Sequence, residues 1–298
     1  MAIKLKNMEN IHWKYPPQYK IEGAGNVYRT EYDYFNDLSL YPNFQEEFDD
    51  FKQILLDLKK ENAEPISMLR FGDGDYFFLT KQPVGSATPG RRALGKDYSQ
   101  LNNHNEFVEG VCQNDYIFAE IFPSARNYFK MLYPREIDFP LEYIYGVIAN
   151  RWFFENFKDK RIGLIGASEK LNIIEKLLEH KEYRDYIGSN DFDLIHFPQK
   201  FACDDIDLVE DFVANQLESS KADIYLVGIG SSKLALLHRF KKYRNASFID
   251  VGCGIDALAG CVSSNRPYFC NWVNFRLSNY DYSSIDYMNY NHANEQYL

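Results

Sequence analysis

Arg70-Phe71-Gly72-Asp73-Gly74-Asp75 puts two carboxylates two positions apart among glycines, directly after an apolar run. Carboxylates so close repel one another unless a cation sits between them, and hard oxygen donors suit Mn2+ or Mg2+. Such an ion is usually completed by a substrate's phosphate oxygens rather than by a full protein cage. Asp73 and Asp75 are therefore expected as a metal pair, against the plainer reading of an Asp-Gly turn whose carboxylates cap backbone N–H groups. Gly228-Ile229-Gly230-Ser231-Ser232-Lys233 is the second segment of interest. Gly228 and Gly230 let backbone N–H groups approach a ligand, Ser231 and Ser232 add donors, and the helix expected next favours an anion at its N-terminus. Lys233 would then neutralise a phosphate. A third segment, Asp250-Val251-Gly252-Cys253-Gly254-Ile255-Asp256, supplies two more carboxylates. Asp250 and Asp256 are the best-placed proton acceptors, although Asp250 can equally serve to cap the turn that follows it.

Several familiar chemistries are not supported. Asp250–Gly254 looks like the cofactor loop of an S-adenosylmethionine-dependent methyltransferase, but too few residues follow it for the rest of that sheet. Gly163–Ser168 and Gly228–Lys233 both fall short of GxGxxG, and no GxxxxGK[ST] phosphate loop occurs. For Gly163–Ser168 the tight turn alone accounts for the glycines. Six histidines show no zinc-ligand spacing, and no GxSxG elbow appears. Arg91 and Arg92, in a glycine-containing loop over 83–96, are candidates for a basic lid on a phosphorylated ligand.

The elements that must position these residues are legible mainly in the second half. Phe44–Lys60 carries apolar residues three and four apart, one face of a helix. Ile66–Phe71 reads as a buried strand running into the acidic turn. Strands are also expected at Arg161–Gly166, Asp193–Phe197, Asp223–Val227 and Ser247–Val251. Helices are expected from Ser168, as N-cap, to about His180, at Val209–Leu217 and at Ser231–Tyr243. Short apolar strands alternating with amphipathic helices predict an α/β fold, a mostly parallel sheet with helices on both faces. Ligands in such sheets sit beyond the carboxyl ends of the strands, where Gly228–Lys233 and Asp250–Asp256 both fall.

Composition narrows the partners. A formal net charge of −10 argues against a nucleic-acid binder, which needs a basic face. No apolar run approaches the ~20 residues of a membrane span, and no apolar leader core opens the sequence, which predicts a cytoplasmic protein. The five scattered cysteines read as reduced thiols. Aromatic residues reach 16%, more in keeping with general composition than with a dedicated sugar-stacking surface. Residues 1–45 read as an irregular extension, 46–275 as the domain and 276–298 as a tail. That tail, with Tyr282, Tyr287 and Tyr290, admits a sugar-stacking segment, an arm in a homodimer or, by default, a frayed terminus.

Arg70–Asp75 resembles the Arg-x-Gly-Asp-Gly-Glu signature of the GT-D type glycosyltransferases, a Rossmann-like family once catalogued as a domain of unknown function. Leu226–Leu236 looks like that family's Gly-Pro-Thr-Ala-Lys segment, and Phe248–Asp256 looks like its Asp-x-Gly-His-x-Asp segment. The match runs in similar order over roughly residues 45–265. It implies metal-dependent transfer of a sugar from a nucleotide donor, expected to be uridine diphosphate-linked, to a glycan or glycoside acceptor. Asp73 and Asp75 would be the metal pair. Arg70, Gly72, Gly74, Gly228, Gly230, Ser231, Ser232 and Lys233 would meet the donor, as would Arg151, which stands near the place of the family's Ser-Arg-Pro-Tyr. An inverting transfer would take its base from Asp256 or Asp250. The chain departs from the pattern at Asp75, where the family has Glu, and at Cys253-Gly254, where it has His. A methyltransferase, or a non-catalytic nucleotide- or sugar-binding module, is the alternative.

Overall fold

The computed structural model describes residues 44–79, 104–119, 123–141, 143–144, 152–188, 191–198, 202–261, 275–282 and 296–297. Arg91, Arg92, Arg151, Tyr287 and Tyr290, with the N-terminal extension, lie outside the described residues. The first half contains α1 (Phe44–Asp57), β1 (Ser67–Phe71), α2 (Asp73–Leu79), α3 (His104–Val111), β2 (Tyr116–Ala119), α4 (Pro123–Leu132) and β3 (Phe139–Pro140). There follow α5 (Trp152–Asn156), β4 (Ile162–Ala167), α6 (Ser168–Leu177), α7 (Lys181–Ile187), β5 (Asp193–Phe197) and α8 (Ile206–Ser219). The last part holds β6 (Ile224–Gly228), α9 (Lys233–Leu236), β7 (Ser247–Asp250), α10 (Gly254–Leu258), β8 (Phe275–Arg276) and β9 (Gln296–Tyr297).

Seven strands form one parallel sheet in the order β3-β2-β1-β7-β6-β4-β5, so the fold is α/β and Rossmann-like. Successive residues of a strand point to opposite faces, and the core divides accordingly. Met68, Leu164, Leu226 and Ile249 pack into one apolar layer with α1, α5, α6 and α10. Their neighbours Leu69, Ile165, Val227 and Phe248 pack into another with α2, α3, α8 and α9. Both faces are thus covered, which is why the strands read as continuous apolar runs. The chain leaves β1 outward for β2, whereas after β7 it enters α10, which packs on α6 and β6 on the other side. In such sheets ligands bind where the connections diverge in this way, here at the carboxyl ends of β1 and β7.

Three local expectations are corrected. Ser168 is the first residue of α6 rather than its cap: β4 runs straight into the helix, and Ala167, with no capping side chain, holds the N-cap position. The single helix expected over Ser231–Tyr243 is three shorter pieces, a 3-10 turn at Gly230–Ser232, α9, and a 3-10 segment at Leu237–Lys242. Leu237 and Phe240, the buried residues of the second 3-10 segment, stand three apart, the period of the tighter helix. Nor does the tail fray over its described part. Phe275 and Tyr282 belong to the core, the Tyr282 hydroxyl accepts from Leu277 N–H at 3.0 Å, and the Arg276 guanidinium lies 3.8 Å from the Tyr282 ring centre. Strand β5 ends the sheet, where the Gln216 side chain of α8 accepts from His196 N–H (2.8 Å) and donates to its carbonyl (2.9 Å). Among the described residues no helix is long and apolar enough to cross a membrane.

Candidate functional site

The acidic turn is built as a helix start. The Gly72 carbonyl accepts from the N–H groups of Asp75 and Tyr76, both at 3.1 Å, and Gly72 N–H donates to the Asp75 carboxylate at 2.9 Å. This is one half of a capping box, with Asp at the position where Glu or Gln usually reaches back and with glycine, which has no capping side chain, at the N-cap. Asp73 opens α2, and its side chain lies outside the described residues. Gly74 is half-buried beside it.

Asp75 has a second partner. Lys233 Nζ lies 3.0 Å from Asp75 Oδ2 and 2.7 Å from Asp250 Oδ2. Asp250 Oδ2 also accepts from Arg70 N–H at 3.1 Å, extending the contact between β7 and β1 past the paired Met68 and Ile249. Asp250 Oδ1 accepts from Gly252 N–H at 2.9 Å, the turn-capping role that the sequence left open. The Arg70 Nε stands 3.8 Å from Asp250 Oδ2. All four side chains are buried, with residue exposures of 0% for Asp250, 3% for Lys233, 4% for Asp75 and 8% for Arg70. Burial pushes the Asp75 carboxyl above the usual carboxylate range, while the Lys233 ammonium and Gly72 N–H pull it back. One ammonium thus joins the ends of β1, β6 and β7, the strands that carry the three segments.

Two glycines set how closely these ends approach. A Cβ on Gly228 would stand 2.7 Å from the Gly252 carbonyl and from Ile255, so Gly228 serves packing between the β6 and β7 ends. Gly252 has φ +46°, and a Cβ there would meet the Arg70 guanidinium at 2.7 Å. Ser231 and Ser232 are buried, and Ser232 Oγ lies 3.3 Å from Cys203 Sγ. Burial pushes the Cys203 thiol up to about 12, which leaves it an inert neighbour. Because a 3-10 turn precedes the four-residue α9, this loop does not present the long-helix N-terminus that the sequence led us to expect.

Asp256 stands apart from the buried cluster. It lies on α10 with its side chain 23% exposed and ion-paired to Lys170 of α6, itself buried. Sequence reasoning passed over Lys170; its signal is a lysine in the first turn after β4, at the same edge of the sheet. What reaches solvent at the ends of β1, β6 and β7 is therefore mostly backbone. Gly74, Gly228, Gly230 and Gly252 are partly exposed there, with Cys253 and Asp256. With Gly228 and Gly252 closed on their Cβ sides by neighbours, Gly74 and Gly230 are where a ligand can approach the backbone, and Asp256 is a carboxylate on the helix that follows β7.

Among the described residues no group of three or more His, Cys, Asp or Glu side chains is arranged to hold a metal. Asp75 Oδ2 already takes Lys233 and Gly72 N–H, so a metal on that oxygen would compete with the ammonium.

No family model matches the chain, and no curated protein matches it. A solved structure described as a selenomethionine-substituted domain of unknown function 1792 is similar to it, with a TM-score of 0.42 at 14% identity. The likeness covers 71% of this chain and 77% of that one.

Proposed function

We propose that the chain is a glycosyltransferase that moves a sugar from a nucleoside-diphosphate donor, uridine diphosphate-linked, to a hydroxyl of a glycan or glycoside acceptor. The observation that carries this reading is the glycine-lined floor at the β1/β7 divergence, where all three motif segments end on adjacent strands. A donor diphosphate there would approach the backbone at Gly74 and Gly230. Asp256 accepts the proton of the attacking hydroxyl, and Lys170 fixes its orientation through their ion pair. Asp250 is fully buried against Lys233 and Arg70 N–H, so its role is to hold the strand ends. The Asp73–Asp75 metal pair does not enter these steps, since Asp75 is taken up by Lys233.

A thermal-unfolding panel of nucleoside diphosphates and S-adenosylmethionine tests the reading. One diphosphate in excess is expected to raise the midpoint by several degrees. Turnover of the matching sugar donor should fall about 100-fold or more in Asp256→Asn, with the ligand-induced shift kept. A shift with S-adenosylmethionine alone overturns the proposal in favour of methyl transfer. Diphosphate binding without transfer to any glycoside acceptor makes the chain a binding module.

A further inference from the structure

We infer that Lys233, and not a divalent ion, is the resident counter-ion of Asp75 in the acidic turn. The sequence led us to expect two separate jobs here, a metal on Asp75 and a donor phosphate on Lys233, but the fold turns the two groups onto each other. The ammonium is within hydrogen-bond distance of Asp75 and of Asp250, and side-chain exposures are 4% for Lys233, 6% for Asp75 and 0% for Asp250. A buried charge is retained at tolerable cost only when its partners are close and fully bonded. Much of that condition is met from within: Asp75 Oδ2 also takes Gly72 N–H, Asp250 Oδ2 also takes Arg70 N–H, and Asp250 Oδ1 takes Gly252 N–H. The two ammonium contacts draw together the starts of α2 and α9 and the end of β7. A divalent ion on Asp75 Oδ2 would have to displace the ammonium from that oxygen and leave it with Asp250 alone of its two buried carboxylates.

The departure of Asp75 from the family's Glu fits the same geometry. Asp75 makes the reach-back to Gly72 N–H at 2.9 Å that Glu more often makes, with the same oxygen 3.0 Å from Lys233. The inference concerns the site of the proposed function but does not depend on transfer, because it is read by ion binding and by folding.

Mn2+ titrated into wild-type and Asp75→Asn chains, followed by loss of the free-ion paramagnetic resonance signal, tests it directly. Either neither chain binds the ion or both bind it with affinities within about twofold, the ion then sitting elsewhere. Binding weakened about tenfold or more in Asp75→Asn overturns the inference. Should Asp75→Asn fail to fold, Lys233→Ala decides. Removing the ammonium leaves two facing carboxylates, so Mn2+ should raise that variant's unfolding midpoint by about 3 °C more than it raises the wild type's. No added shift in Lys233→Ala means that the ammonium holds no cation position, and the inference falls.

Discussion

Gly252 shows how narrowly the site is made. Its φ of +46° suits glycine, and the Arg70 guanidinium occupies the space where a side chain would begin. Gly252→Ala is expected to cost about 1–3 kcal/mol from backbone strain and displacement of Arg70, measured by urea unfolding. A change within about 0.5 kcal/mol would show that Arg70 is free to move aside. At this scale the sequence was informative about residue types and silent about partners. The spacing of Asp73 and Asp75, the glycines around them and Lys233 were all visible as chemistry-bearing residues. That Lys233 bonds Asp75 and Asp250 was not visible, because local spacing carries no record of which distant strand lands alongside. Lys170 was missed for the same reason: an amphipathic pattern describes it as one more helix charge, and only the docking of α10 on α6 makes it the partner of Asp256.

Elements position these residues by contact, and α3 against α9 is the tightest case. A Cβ on Gly110 would stand 2.1 Å from the Leu234 carbonyl oxygen, so the two backbones touch where α9 begins. Gly110→Ala should force them apart and cost about 2–4 kcal/mol, read from the denaturation midpoint. Because Lys233 is the first residue of α9, the same variant is expected to loosen the Asp75 and Asp250 contacts, raising amide exchange at Gly72 and Gly252. The strands of the second half were legible as short apolar runs ended by glycine or a charge. β2 and α2–α4 were not. Tyr116–Ala119 is only four residues long, α2 follows the acidic turn with no separating loop, and α4 starts on a proline that reads equally well as a turn.

Across the whole molecule, charged clusters mark both ends of the strands, carboxyl and amino. Opposite the site, Asp193 at the start of β5 accepts from Arg161 Nε, Ser220 Oγ and Lys221 N–H, each at 2.6 Å, tying together the amino ends of β4, β5 and β6. Burial disfavours the Asp193 charge, but Arg161, Ser220 and Lys221 outweigh it and hold the carboxyl at about 2. A depressed folded-state value contributes stability above the unfolded value near 3.8 and loses it as pH falls toward 2. With Arg161 nearly half exposed, the contribution is about 1–2 kcal/mol. The stability gap between wild type and Asp193→Asn should therefore be full at pH 6 and shrink below about pH 4 in urea titrations; a gap that does not change with pH would rule out this account. The doubly covered parallel sheet was legible as a class, since βαβ alternation survives single missed elements, whereas the strand order depends on contacts that no local pattern encodes. Among the described residues that order leaves β5 with one side free of any strand, and such a side is a surface on which another chain can crystallise into the same ladder. The Gln216 amide, matched donor to acceptor and acceptor to donor against His196, imitates the next strand for a single residue and then stops. The protein in effect supplies its own chain terminator, so that growth of the sheet ends inside one molecule instead of continuing into its neighbour.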